Sequence, residues 1–317
     1  MFDFFSKRNY FFILSGLIIV TGIIGLIYNG GFVLDIQFQG GTVIQIEMND
    51  DTFDIQRAEE VASSAVDKRI IAQKSHTLDT TDNRRIDFLI VSVATKEDLN
   101  DDERRAVISA LREEFDIKED AEMRFGSYSP SIGRELQQRG ITAVIIASIL
   151  MLLYIWIRFN IMSGLFAGLT AIVALVHDVA VMLSVYTIFG IPLNESFIAA
   201  VLTIVGYSMN DTIVIYDRIR ENTKISRKDT VEGLVNKSIT QSLKRSINTS
   251  ITTLTCVVTV YVLASINGIG SIKEFSFPLI IGLASGTYSS IFIASPLWVM
   301  WKKSQQKKTI SNKPAKA

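Results

Sequence analysis

The sequence is poor in residues that staple a chain or ligate metals. A single cysteine, Cys256, among 317 residues excludes an internal disulfide framework and a cysteine-rich metal centre. The two histidines, His76 and His177, lie far apart, so a histidine-based zinc or catalytic centre would need another subunit. Five prolines are too few for a proline-rich low-complexity chain. Excess charge of either sign is also missing, with 32 Lys and Arg against 32 Asp and Glu, which removes any basis for nucleic-acid binding. What is present in quantity is apolar: 48% of the residues are hydrophobic and the mean hydropathy is +0.31, more than a globular core of this length needs. A membrane protein is the first expectation.

A spanning helix needs about 20 mainly apolar residues, because the hydrocarbon core is about 30 Å thick. Six segments meet this, near residues 10–28, 140–157, 161–188, 195–216, 247–266 and 277–301. Basic residues resist translocation and set the orientation. Lys7 and Arg8 precede the first span, Arg158 sits between the second and third, and Lys302, Lys303, Lys307, Lys308, Lys313 and Lys316 follow the sixth. The segment between the fourth and fifth spans holds Arg218, Arg220, Lys224, Arg227, Lys228, Lys237, Lys244 and Arg245. The reading is therefore a cytoplasmic N-terminus and first span (1–29), an extracytoplasmic domain (30–139), five further spans (140–301) with a cytoplasmic loop at 217–246, and a basic cytoplasmic tail (302–317).

Residues 30–139 read as a compact α+β domain. Val43, Gln45 and Glu47 alternate with Ile44, Ile46 and Met48 as on a strand, and Ile86 to Val93 reads likewise. Asp54 to Ile71 and Lys96 to Phe115 carry helical spacing. The order strand, helix, strand, strand, helix, strand predicts a ferredoxin-like fold. Over residues 30–125 the charge is −10, so the overall neutrality is a cancellation against a basic membrane body.

Ionisable groups inside apolar spans are expensive and mark candidate ion paths. Asp211 lies in a polar stripe from Gly206 to Thr212, together with Asn210. Arg245, at the start of the fifth span, is a candidate partner, and Thr249, Thr252 and Cys256 continue its helical face. Burial favours the neutral acid and a nearby guanidinium favours the carboxylate, so a movement that changes their separation would load or release a proton. A static ion pair is the competing reading. His177 and Asp178 in the third span, with Asn210, Thr212 and Thr249, form a secondary intramembrane polar site; for His177 and Asp178 a structural hydrogen bond to a neighbouring helix is the competing reading. Gly282, Ser285 and Gly286 read as a small-residue packing surface, Cys256 as a small core residue, His76 as a surface residue of the external domain, and Trp298 and Trp301 as an interfacial belt. Gly40 and Gly41, after Asp35, suit a tight turn or a close backbone approach. An intramembrane hydrolase built on His177 and Asp178 lacks a nucleophile.

These features also occur in a recognisable order. Asp35-Ile36-Gln37-Phe38-Gln39-Gly40-Gly41-Thr42 follows the first span, Pro130-Ser131-Ile132-Gly133-Arg134-Glu135-Leu136 leads into the second, and His177-Asp178-Val179 lies in the third. The run from Val205 to Asn222, containing Asn210-Asp211-Thr212 and Asp217-Arg218, precedes Leu243-Lys244-Arg245-Ser246. Over nearly its whole length the chain resembles the SecF family of protein translocase accessory subunits, within the SecD/SecF group of the resistance-nodulation-division (RND) superfamily. The resemblance implies a multi-pass bacterial plasma-membrane protein, not an enzyme, with six transmembrane helices as an RND half-transporter. It implies SecD as heterodimeric partner, SecYEG with SecA and YajC as associated components, and an unfolded preprotein as substrate. It further implies use of the proton-motive force in late export, no cofactor, a proton or sodium as coupling ion, and Asp211 with Arg245 as the proton pathway. Half of an RND small-molecule or lipid exporter is the alternative, disfavoured by the single small external domain.

Overall fold

The protein, as a computed structural model, is described over residues 3–49, 52–68, 70–78, 85–94, 99–115, 117, 121, 123–225 and 229–311. Helix α1 (Arg8–Tyr28) is followed by a single turn, α2 (Ile36–Gln39), and then by β1 (Gly41–Met48), α3 (Ile55–Val66), β2 (Ile70–Leu78), β3 (Arg85–Ala94), α4 (Asp101–Glu114) and β4 (Met123–Tyr128). The remaining helices are α5 (Pro130–Arg158), α6 (Gly164–Phe189), α7 (Glu195–Ile225), α8 (Val231–Ile266) and α9 (Gly270–Ser289). A π-helical segment, Ser290–Ala294, leads into α10 (Ser295–Ser311). Six helical stretches, α1, α5, α6, α7, α8 and the α9–α10 run, are long and apolar enough to cross a membrane.

The four strands form one antiparallel sheet in the order β2-β3-β1-β4, with α3 and α4 joining them as the ferredoxin-like reading expects. On β1 the alternation holds: Ile44, Ile46 and Met48 are buried beneath the helices and Val43, Gln45 and Glu47 are half-buried on the other face. Val107 and Leu111 of α4 and Ala58 and Ala62 of α3 close this core. The predicted helix over Asp54 to Ile71 is shorter than its spacing suggests. Asp67 turns into the left-handed region (φ 51°), and Ile70 and Ile71 begin β2, where strand pairing with β3 outweighs local helical preference. Helix α4 starts at a capping box formed by Asn100 and Glu103; Lys96 lies outside the described residues, as do Arg227, Lys228 and residues 312–317.

The membrane helices extend further than hydropathy alone marks. Helix α5 begins at Pro130, a residue suited to a first helical turn because its missing N–H would be unpaired there anyway. The predicted loop at 217–246 is mostly helix, since α7 runs to Ile225 and α8 starts at Val231 behind a Thr230 cap. Leu234, Val235 and Ile239 of that extension are buried against the bundle with Phe4, Ile219 and Val299, which explains how a polar stretch stays helical. Helices α7 and α9 form the centre, while α1, α5 and α8 leave apolar faces open, among them Leu17, Ile24, Ile149 and Val258.

The basic ends collect at one end of the bundle. Asn236 accepts from the Phe5 backbone N–H (3.2 Å) and donates to Asp3 (2.7 Å), Arg158 pairs with Asp217 (3.1 Å), and Lys303 pairs with Glu232. The α+β domain sits at the other end. There Val33 and Asp35 exchange backbone hydrogen bonds with Leu193 between α6 and α7 (2.8 Å each). His76 is not simply a surface residue: its ring lies so close to Gly268, between α8 and α9, that a Cβ there would collide with it.

Domain and bundle are joined at α2. Gly40 has φ 84°, and a Cβ on it would lie 2.5 Å from Pro130 Cγ; a Cβ on Gly133 would lie 2.6 Å from the carbonyl oxygens of Gln37 and Phe38. Gly40 therefore serves the turn and the close approach at once. Gly133→Ala is expected to lower stability by about 1–3 kcal/mol through overpacking, whereas Gly126→Ala, whose nearest neighbour would be Val43 Cβ at 3.8 Å, should be close to neutral; thermal unfolding of the purified protein compares them. Burial pushes the Asp35 carboxyl above its ordinary range, against the lowering effect of the Gln37 and Ile36 N–H groups. The neutral acid is thus favoured on folding, and the stability it brings at low pH is lost as pH rises through the raised value. Asp35→Asn keeps a capping oxygen, so its stability advantage over the native protein should shrink on acidification from about pH 7 to 4.

Candidate functional site

Two aspartates are buried in the bundle, and they are satisfied very differently. Asp178, on α6, has no exposed surface. Its Oδ2 accepts from Ser208 on α7 (2.7 Å) and Ser289 on α9 (2.8 Å), and its Oδ1 accepts from Ser285 on α9 (2.7 Å) and faces His177 Nδ1 at 3.2 Å. Three hydroxyls and an imidazole fill the acceptor positions of one carboxylate. Ser285 and Ser289 can both reach it because residues four apart share a helix face. Gly282 and Gly286 bring α9 close: a Cβ at Gly286 would lie 2.9 Å from Ser208 Cβ, and one at Gly282 would lie 2.5 Å from Ile204 Cγ1. The small-residue stripe is thus a packing surface at its glycines, while Ser285 belongs to the Asp178 site.

Asp211, on α7, is 2% exposed and lies on the opposite flank of the α7–α9 contact, toward α8. Its one hydrogen bond from α8 is long, from Ser250 Oγ at 3.3 Å, and that hydroxyl is also bonded to Thr287 on α9 (2.6 Å). Among the described residues, Ser246 Oγ is buried with no hydrogen-bond partner, one helical turn before Ser250. The two carboxylates thus differ in how fully their acceptor positions are filled.

The predicted Asp211–Arg245 ion pair is not formed among the described residues. Arg245 is exposed and lines a cleft of about 360 Å³ with Tyr154, Asn210, Asp217, Arg218 and Ser242. The helical register explains this, because α8 buries Ser242 and Ser246 against the bundle and turns Arg245 to their side. Asn210 is exposed beside the same cleft, and Thr212 is turned inward, bonded to Ser290 (2.8 Å). Thr249 takes part through its carbonyl, which accepts from Tyr207 (3.2 Å). Asp217 is held by Arg158 and by Arg220 (2.7 Å), and Arg218 by Glu221 (2.9 Å), a solvated cluster at the basic end. Asp35, Gly40 and Gly41 are far from both aspartates and build the α2 junction.

Several site residues carry no signal in an apolar-span reading. Ser15 is a single polar residue in a hydrophobic run, and although Thr287 to Ser290 form a short polar run, only packing shows that Tyr288, Ser289 and Ser290 face Asp178 or its neighbours. The π-helical segment beginning at Ser290 adds a residue to one turn, a distortion often found at functional sites. Cys256 is exposed on α8 rather than in the core. Trp298 is buried and donates to the Met162 carbonyl (3.2 Å), so it is a core residue, while Trp301 stacks on Phe166.

Asp178→Ala leaves the buried Ser208 and Ser285 hydroxyls without their acceptor, while Ser289 keeps the Gly286 carbonyl (3.2 Å), and is expected to cost about 3 kcal/mol. Asp211→Asn, at a carboxylate with one long hydrogen bond, should cost less than about 1 kcal/mol. Thermal unfolding in detergent distinguishes the two.

Comparison with known proteins follows the same geometry. The family model "Protein export membrane protein SecD/SecF, C-terminal" matches residues 107–304. The chain is 37% identical over 311 residues to the protein translocase subunit SecF of Alicyclobacillus acidocaldarius, covering 97% of this chain and 95% of that protein. It is 34% identical over 306 residues to the protein translocase subunit SecDF of Bacillus subtilis, but spans only 39% of it. The crystal structure of SecDF from Thermus thermophilus, a translocon-associated membrane protein, superposes with a TM-score of 0.73 at 30% identity over 95% of this chain and 39% of that one. The chain thus corresponds to nearly all of a separate SecF and about two-fifths of a fused SecDF. From these matches and the six-helix, four-strand architecture, the chain belongs to the SecF family of multi-pass protein translocase subunits.

Proposed function

We propose that this chain acts with SecD as one half of a proton-driven unit that assists late stages of protein export, with Asp211 as its proton carrier and Arg245 as the cation that governs it. As a SecF family member it is an accessory subunit of the translocase, and its likeness to SecDF implies association with SecD. SecYEG with SecA would form the channel and its ATP-driven motor, with YajC as an associated component and an unfolded preprotein as the passenger. The basic end of the bundle is assigned to the cytoplasm by its Lys and Arg content, which puts both termini there and the α+β domain outside.

The observation that carries the reading is the sparse hydrogen bonding of Asp211, a buried carboxylate between α7, α8 and α9 beside the unpartnered Ser246 hydroxyl. Burial favours its neutral form, and approach of the Arg245 guanidinium favours the carboxylate. Arg245 sits on the same stretch of α8, at the mouth of the cleft, so a tilt of α8 relative to α7 would change the distance between them. Protonation and helix position are then coupled in both directions. One charge moving through 100 mV gains about 2.3 kcal/mol, comparable with typical coupling energies between sites. The α2 junction, which locks the external domain to α5 and to the α6–α7 connection, supplies a stiff path by which helix movement would reach that domain.

Asp211→Asn is expected to abolish the part of export that depends on the proton gradient while the variant still co-purifies with SecD. Export assays in membrane vesicles, with and without an uncoupler, measure this. Full gradient-dependent export in the variant would remove Asp211 from the mechanism. Replacing sodium by potassium in the same assay at constant pH should leave the rate unchanged for a proton-coupled unit.

A further inference from the structure

We propose that the slot between strand β2 of the external domain and the α8–α9 connection binds an extended segment of the passenger polypeptide. The inference rests on the reading above that the passenger is an unfolded chain, and it adds where on this subunit that chain is held. Two cavities, of about 700 and 530 Å³, share Gln73, Lys74, Gly268, Gly270 and Glu274 and so form one slot. Four consecutive residues of β2, Gln73 to His76, line one wall, about 13 Å of extended chain. The residues from Ile266 to Ser271, which end α8 and begin α9, line the other. The His76 ring against Gly268 (φ 61°) marks where the two walls meet.

The chemistry changes along the slot. At the bundle end it is lined by Tyr186, Tyr261 and Phe277, with ring centroids 6.1 Å apart for Tyr186 and Phe277 and 5.9 Å apart for Tyr261 and Phe277. At the domain end the lining is mostly polar, with Ser75 half-buried and Asn267 and Ser271 exposed. Among the described residues β2 is the outermost strand of the sheet on this side. The Ala72 N–H points away from β3 and is met by Glu59 Oε1 at 2.9 Å. Residues two apart along a strand share this direction, so the main chain of His76 also faces away from β3, at the slot.

Charge and shape select the occupant. Lys74, Lys273 and Glu274 leave the slot itself with little net charge, whereas residues 30–125 as a whole carry −10. An anionic lipid headgroup is repelled by that field, and a neutral or basic chain is not. A wholly apolar acyl chain matches the aromatic end but leaves the polar wall unpaired. An extended polypeptide matches both. Its main chain carries donors and acceptors that pair with an outermost strand whatever its sequence, and its apolar side chains bury on the aromatic rings. Such tolerance is what a passenger of arbitrary sequence requires. Because the slot is built from both domain and bundle, displacement of one against the other would tighten or release the segment.

The test uses the full chain with SecD, SecYEG and SecA in lipid vesicles. A photo-reactive benzoylphenylalanine replaces Ser75 or Ile269, on the two walls, or Phe125 on β4, the opposite edge of the sheet, as a control. A radiolabelled preprotein ending in a folded domain is driven in by ATP until it jams. Light-induced adducts with it are expected from the Ser75 and Ile269 positions at a yield at least about tenfold above that from the Phe125 position. The same labels should capture a short peptide alternating valine and threonine with lysine at both ends, and N-methylation of its peptide nitrogens should lower that capture at least about tenfold; equal capture of the methylated peptide would overturn pairing with β2. Equal yields from all three positions, or none from the slot, would overturn the proposal. Adducts with SecD or with lipid from the slot positions would overturn it in favour of a subunit contact or a lipid site. Should a label at Ser75 or Ile269 prevent folding, Asn267 and Ser271, exposed on the α8–α9 connection, carry it with the same expectation. Gradient-dependent export is scored in the same vesicles. Gradient-stimulated export without slot adducts overturns the slot alone, whereas slot adducts without gradient stimulation sustain the slot and overturn the proton coupling alone.

Discussion

The bundle depends on how one fully desolvated carboxylate is satisfied. Asp178 sits where water cannot reach it, and an ionised group there costs several kcal/mol unless hydrogen bonds replace its hydration. Three serines from α7 and α9, with His177 beside it, supply those bonds and so fix the relative position of α6, α7 and α9. Apolar packing alone does not select one arrangement of helices strongly in lipid, because lipid tails compete for the same surfaces. A polar node with all its partners in place does. The glycines at 282 and 286 are the steric condition for it, since α9 must approach α7 closely before its hydroxyls reach across.

The same α7–α9 contact separates two chemical environments. On one flank Asp178 is saturated with donors and joined to α1 through His177 and Ser15; on the other Asp211 has a single long bond from α8. Both aspartates are buried, so exposure does not distinguish them. The number and length of their hydrogen bonds do. Helix α8 is peripheral through its apolar span, as is α5.

At the far end, the external domain is not tethered by a flexible linker. The chain leaves α1, exchanges backbone hydrogen bonds with Leu193, makes the α2 turn and enters β1 at Gly41. The return from β4 enters α5 at Pro130, against Gly40. Entry and exit of the domain are thus packed on each other and on the α6–α7 connection. The contact between His76 and Gly268 adds a second point of attachment at the α8–α9 connection.

Hydropathy alone located the six spans, because twenty apolar residues have few alternatives to crossing a bilayer. Period-two and helical spacing located β1, β3, α3 and α4 but not β2 or β4, and intramembrane charge singled out Asp178, Asp211 and Arg245. These are local properties, legible because each residue type carries its cost wherever it lies. Tertiary structure alone decided which hydroxyls face which aspartate, since Ser15, Ser208, Ser285 and Ser289 are ordinary small residues until three helices bring them within 3 Å of one site. It also decided that Arg245 lines a cleft instead of pairing with Asp211, that Trp298 is buried and Cys256 exposed, and that the polar stretch after α7 is helical. A hydrogen bond requires two groups from distant parts of the chain at a defined distance and angle, and that geometry exists only once the helices have packed.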